Sequence, residues 1–206
     1  MQNFIFEKIK RIQALAEIGL EFSQNTFDRE RYDELHEISL QMMKQITDVP
    51  VEKIAPVIQD KNGYKTPKVD VRAVVFNEKN EILLIQEKAD NCWAMPGGWA
   101  DVGYSPAEVA AKECFEEAGL KVKASKLLAV LDKQKQKMPP AFEYTYKIFL
   151  LCKKLNNSVS TGTETLNVGW FNEFNLPELS TPRNTAEQIK LMFQFHRGEK
   201  TEPVFD

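Results

Sequence analysis

Residues 97–120 read GGWADVGYSPAEVAAKECFEEAGL. Two glycines open the stretch, and Glu113, Glu116 and Glu117 crowd its far end before Gly119. Ser105 is placed to cap the amide of Glu108, with Glu108 reaching back, which makes a capping box. Pro106 suits a first helical position, where no amide partner is required. Such a cap is worth about 0.5–2 kcal/mol. Gly119 is placed to stop the helix in the left-handed conformation. Ala107, Ala110, Ala111, Cys114 and Ala118 then form a narrow apolar stripe of small residues, suited to close packing on a sheet. Glu113 and Glu117 fall one turn apart on the opposite edge, with Glu116 beside them.

Like charges at this spacing cost only a few tenths of a kcal/mol on an exposed face, so the cluster alone reads as a solvated surface. Two features oppose that reading. The helix is entered from Pro96-Gly97-Gly98, where backbone carbonyls can approach a ligand closely. The glutamates also sit at the negative end of the helix dipole, which disfavours them. A bound dication resolves the conflict, and hard carboxylate oxygens suit Mg2+ or Mn2+.

The period of the sequence changes around this helix. Residues 1–60 show two helical segments, one with Phe4, Ile9, Ile12, Leu15 and Ile18 in phase, the next with Tyr32, Leu35, Ile38, Met42 and Ile46. A short third helix is expected after Pro50, and Asp60–Lys68, broken by Gly63 and Pro67, reads as a linker. VDVRAVVF (69–76) alternates, with Asp70 and Arg72 on its polar face. EILLIQEK (81–88) is a second strand, expected to form a hairpin with the first. Further strands fall at 127–133, 143–154 and around Val168, and an amphipathic helix near residues 184–197. The expected fold is α/β (α+β): an all-α domain at 1–62 and a layered domain at 68–206.

Composition narrows the function classes. The 206 residues carry a formal charge of −3, with 43% hydrophobic and 28% charged residues, as in a globular chain with a sizeable core. Residues 1–60 hold seven Lys and Arg against eleven Asp and Glu, so no DNA partner is expected. No apolar run is long enough to span a membrane, and charges interrupt the N-terminal stretch, which argues against a signal peptide. Three scattered cysteines without a CxxC pair argue against zinc and for reduced thiols in a cytoplasm.

Gly98, Glu113, Glu116, Glu117, Gly119 and Leu120 fall at the spacing of the Nudix box, G-x5-E-x7-R-E-U-x-E-E-x-G-U, with U aliphatic. The chain resembles a Nudix hydrolase from about Val69 to Arg197. Tyr104 replaces the usual glutamate and Lys112 the usual arginine; lysine keeps the charge but loses the bidentate fork. The resemblance implies an α/β/α sandwich around a mixed sheet. It also implies metal-dependent hydrolysis of a nucleoside diphosphate linked to a group X, giving a nucleoside monophosphate and phospho-X.

By resemblance, Glu113 and Glu117 lead the Mg2+ or Mn2+ ligands, followed by Glu116 and the Gly97 carbonyl. The general base is a box glutamate (Glu116 or Glu117) or Glu164 in a distant loop, which reads equally as an exposed acid. Arg72 and Lys88 are candidate phosphate contacts, the first equally an ion pair with Asp70 or Glu87. Trp99 and Tyr104 are candidates to stack on the base. The N-terminal helices look like those of a bacterial group acting on CDP-choline, ADP-ribose or UDP-linked compounds, where such a domain supports the substrate pocket and a homodimer. A nucleotide-sugar-sensing regulator and a house-cleaning pyrophosphatase for nucleoside triphosphates are the alternatives.

Overall fold

The computed structural model describes residues 2–46, 66–139, 141 and 143–206, with side chains from residue 4 onward. The short helix expected after Pro50 and most of the linker at 60–68 lie outside the described residues. The chain divides into two compact units, one of residues 1–67 with 140–143, the other of 68–139 with 144–206.

In the first unit, α1 (Gln2–Phe22) and α2 (Thr26–Ile46) form a helical hairpin. Asn25 caps α2, its side chain accepting the Phe27 amide at 2.9 Å. Arg29 reaches back to the Leu20 carbonyl at the end of α1, at 2.6 Å. Gly19 lets the helices approach, since a Cβ there would meet the Tyr32 ring at 2.5 Å. The buried faces differ from those the periodicity indicates. Phe6, Ile9, Ala16 and Leu20 turn inward on α1, and His36, Ser39 and Met43 on α2. Leu35, Ile38 and Met42 face outward, as do Phe4 and Leu15. Each helix carries a second apolar stripe. On α2 it is Leu40, Met43 and Ile46, packed with Phe6 and Ile9 beside His36 and Ser39. A hairpin of two can cover only one stripe of each.

The second unit holds a five-stranded mixed sheet and a three-stranded antiparallel sheet between helices. Its elements are β1 (Lys68–Val75), β2 (Ile82–Glu87), β3 (Trp93–Ala94), β4 (Gly97–Trp99), α3 (Pro106–Ala118), β5 (Val122–Asp132), β6 (Thr145–Lys154), β7 (Thr165–Phe171), α4 (Ala186–His196) and β8 (Val204–Phe205). The large sheet runs β4-β1-β6-β5-β8 and the small one β3-β2-β7. The expected β1–β2 hairpin is corrected here. A tight turn joins the strands through Asn77 N–H to Glu81 O at 3.0 Å, and only Phe76 and Ile82 bridge before they separate into different sheets. Antiparallel β4 and parallel β6 take the two edges of β1, leaving none for β2.

Side chains alternate between two cores. Val71, Ala73, Val75, Leu83 and Ile85 pack under α3, with Val109, Ala110, Cys114 and Ala118. Val74, Ile82, Leu84 and Phe149 pack under α4, with Ile189, Met192 and Phe193. Each such side chain contributes about 1.5–3 kcal/mol on burial. The arrangement is an α/β/α sandwich, and it corrects the half-exposed reading of β1. With helices on both sides, Asp70 and Arg72 are buried as well. The α3 stripe is shifted too: Ala107 is exposed, whereas Val109 and Glu117 are buried.

Candidate active site

The local signals of the box hold. Ser105 accepts the Glu108 amide at 3.3 Å, and Glu108 accepts the Ser105 amide at 2.8 Å. Gly119 ends α3 at φ 63°. A loop from 160 to 165 satisfies the last carbonyls of α3: Ser160 donates to Ala118 O at 2.9 Å, and the Thr165 hydroxyl to Glu117 O at 2.9 Å. Gly162 permits this approach, since a Cβ there would fall 1.8 Å from Glu116 O.

Above α3 lies a cleft of about 530 Å³. Glu113, Glu117, Gly97 and Gly98 line one part of it. Glu117 is buried and accepts the Gly97 amide at 2.9 Å. Glu113 backs Gly98, where a Cβ would meet its carboxylate at 3.2–3.3 Å. Gly97 sits at φ 151°, and a Cβ there would lie 2.0 Å from Val71 O, so no side chain fits. Burial pushes the Glu117 carboxyl up to about 8, with Glu87 and Glu113 adding to the rise against the opposing Gly97 amide and Arg72 charge. Burial also raises Glu113, against the pull of Lys112.

Glu116 is turned away from the cleft. Lys112 holds it at 2.9 Å and reaches Glu113 at 3.4 Å. One ammonium thus bridges two box glutamates where the family's arginine would use a fork. Among the described residues, no three His, Cys, Asp or Glu side chains are gathered tightly enough to hold an ion. The donor chemistry nevertheless fits a hard dication. Two carboxylates with raised pKa share one cleft with further acids, and a cation relieves that crowding.

Of the other sequence candidates, Trp99 and Glu164 line the cleft. Trp99 is half exposed, with the Lys68 ammonium 5.4 Å from its ring centre. Tyr104 is exposed, and neither it nor Lys88 lines the cleft. Lys88 instead ties down the loop of Glu164, its ammonium on Thr163 O and its amide on Glu164 O at 3.1 Å. Arg72 lines the cleft, but most of its donors are committed. Nε and Nη2 grip Asp70 at 2.7 and 3.1 Å, and Nη1 holds Met95 O at 3.1 Å. Lys147, fully buried, donates to the same Asp70 carboxylate. The Met95 amide is held in turn by Asn184 Oδ1 at 2.7 Å. The strand leading to Gly97 is therefore pinned on both sides.

Sequence reasoning missed Asp101, Lys133 and Arg183 on the cleft wall and named Glu87 there only as an alternative ion-pair partner of Arg72. A register shift between β2 and β7 at Gln86/Glu87 accompanies the burial of Glu87. The only sequence signal there was one acid at the end of an apolar strand.

The NUDIX domain profile matches residues 66–194, and a UDP-X-like, N-terminal oligomerisation domain profile matches residues 4–58. A putative ADP-ribose pyrophosphatase, YjhB, of Bacillus subtilis (strain 168) is 44% identical over 100% of this chain and 99% of its own. The crystal structure of a UDP-X diphosphatase matches at 35% identity and TM-score 0.64, covering 100% of both chains. That of an ADP-ribose pyrophosphatase from Streptococcus suis 89-1591 matches at 42% identity and TM-score 0.62, covering 68% of this chain and 100% of that one. With box, cleft and sandwich in place, the chain belongs to the Nudix hydrolase family.

Proposed function

We propose that the protein hydrolyses the diphosphate bridge of a nucleoside diphosphate linked to a second group, with ADP-ribose the leading substrate and UDP-linked compounds next. The observation that carries this reading is the pair Glu113 and Glu117, converging on one cleft with Glu117 buried. Two relatives named for such substrates match the chain over its whole length, helical unit included, which supports the same class.

Glu113 and Glu117 would hold Mg2+ or Mn2+, with the Gly97 carbonyl and, once released from Lys112, Glu116. When bound, such an ion neutralises charge on the diphosphate and acidifies a water. Glu164 is the candidate to take the proton of the attacking water, since it lines the cleft on a loop anchored both to Lys88, just past β2, and to the end of α3. Trp99 offers the rim an aromatic face for the base. The test is incubation with magnesium and a panel of ADP-ribose, UDP-sugars and CDP-choline, with products separated by chromatography. ADP-ribose is expected to give AMP and ribose 5-phosphate. No cleavage of any anhydride, with magnesium or manganese, rejects the assignment.

The helical unit supports a homodimer. Phe27 is 68% exposed, Leu35 43% and Ile38 42%, on one face of α2, and apolar surface of this kind marks an interaction site. Leu35→Asp with Ile38→Asp is expected to convert a dimer to a monomer in sedimentation equilibrium, with helical circular dichroism retained. A wild-type protein that is monomeric at micromolar concentration contradicts the dimer. Among the described residues, no helix is long and apolar enough to cross a membrane.

A further inference from the structure

All three guanidinium nitrogens of Arg72 are engaged by Asp70 and Met95, so an amino group with no protein partner for an anionic substrate has to come from elsewhere on the cleft wall. Arg183 lies in the turn before α4 and lines the cleft beside Pro182. Its backbone is fixed. The Arg183 and Asn184 amides both donate to Ser180 O at 2.9 Å, and the Ser180 amide to Trp93 O at 2.8 Å. Its guanidinium is fixed as well. Nε stands 2.7 Å from a Glu87 oxygen, and Nη1 donates to Ser180 Oγ at 3.0 Å and Asp90 at 3.2 Å. Nη2 donates to no group among the described residues.

A guanidinium oriented by two carboxylates and a hydroxyl, with Nη2 left over, presents one preoriented amino group that can donate charge-assisted hydrogen bonds to a phosphate oxygen. Glu87 explains the orientation. It is buried on the cleft wall, and its pairing with Arg183 at 2.7 Å offsets the cost of taking that charge out of water. We propose that Arg183 grips the diphosphate of the substrate and that Glu87 and Asp90 position its guanidinium. This rests on the function proposed above and adds to it a binding residue that box spacing does not reveal.

The experiment compares wild type, Arg183→Gln and the double variant Glu87→Gln/Arg183→Gln, all with magnesium. Two quantities are read: steady-state kinetics on ADP-ribose, and calorimetric binding of α,β-methylene-ADP. Loss of a charge-assisted contact is expected to raise KM and weaken analogue binding about tenfold to a hundredfold, with kcat little changed. Arg183→Gln alone leaves Glu87 without its cation and is expected to melt lower. The double variant removes the orphaned charge, so it is expected to regain melting temperature while its KM stays high. Recovery of KM and analogue affinity along with stability in the double variant gives Arg183 a structural role only and overturns the inference, leaving the hydrolase reading intact. A wild-type protein that neither binds the analogue nor cleaves ADP-ribose overturns both.

Discussion

Glu117→Gln is expected to reduce turnover of ADP-ribose on the order of a thousandfold, equivalent to about 4 kcal/mol of transition-state stabilisation. The substitution changes charge and almost nothing else. The amide oxygen can still accept the Gly97 N–H that Glu117 now accepts at 2.9 Å, and side-chain volume is conserved. A loss of activity therefore cannot be assigned to collapse of the α3–β4 contact. Stability provides the control, and its sign follows from linkage. Burial raises the Glu117 carboxyl from 4.5 unfolded to about 8 in the fold. Between those values the folded state holds a proton that the unfolded state has released. The stabilisation is complete below about pH 4.5 and is lost as pH rises through about 8. In EDTA, wild type should lose on the order of a few kcal/mol across this window relative to Glu117→Gln. Magnesium should restore wild type and leave the variant unchanged. Melting curves from pH 4.5 to 9, with and without EDTA, read this directly. Full turnover in the variant removes Glu117 from the chemistry, and parallel curves deny that its carboxylate is unfavourably buried.

Asp70→Ala is expected to destabilise the fold by about 3–5 kcal/mol, the range for removing one partner of a buried ion pair. Asp70 holds two buried basic groups, Arg72 through both carboxylate oxygens and Lys147 through one, burial and the Arg72 charge pushing the Lys147 ammonium down to about 7. Burial pushes its carboxyl up, but the Arg72 and Lys147 charges outweigh that and hold it below the usual carboxylate range. A lowered folded pKa means stabilisation that is present above about pH 4 and disappears as acid protonates the group. The variant should therefore show a shallower acid limb as well as a lower midpoint in urea. Activity should fall too. Arg72 positions Met95, which leads directly into Gly97, so releasing Arg72 loosens the cleft floor. A change below about 1 kcal/mol, in the range of an exposed pair, would mean that the cluster is already hydrated.

Much of the site was legible along the chain because its signals are local. A capping box, a left-handed glycine and two carboxylates four residues apart need only one helix to be read, and the structure keeps all three on α3. Lys112 was legible as a departure from the family pattern. Its consequence, Glu116 held outside the cleft, also lies within one helical turn.

What a linear pattern could not decide was which surface becomes interior. Strict alternation in β1 reads as one wet and one dry face, yet helices cover both, and Asp70 and Arg72 become a buried cluster completed by Lys147 from β6. The helical hairpin misled in the same way, because each helix carries more than one apolar stripe and only packing selects the buried one. Glu87 and Arg183 meet at 2.7 Å from opposite ends of the domain, and neither belongs to a motif. The sequence determined the helix, its caps and the carboxylate spacing, since these are set by neighbours within a few residues. Only the tertiary structure decided which charges are buried, because desolvation depends on what the rest of the chain places above them.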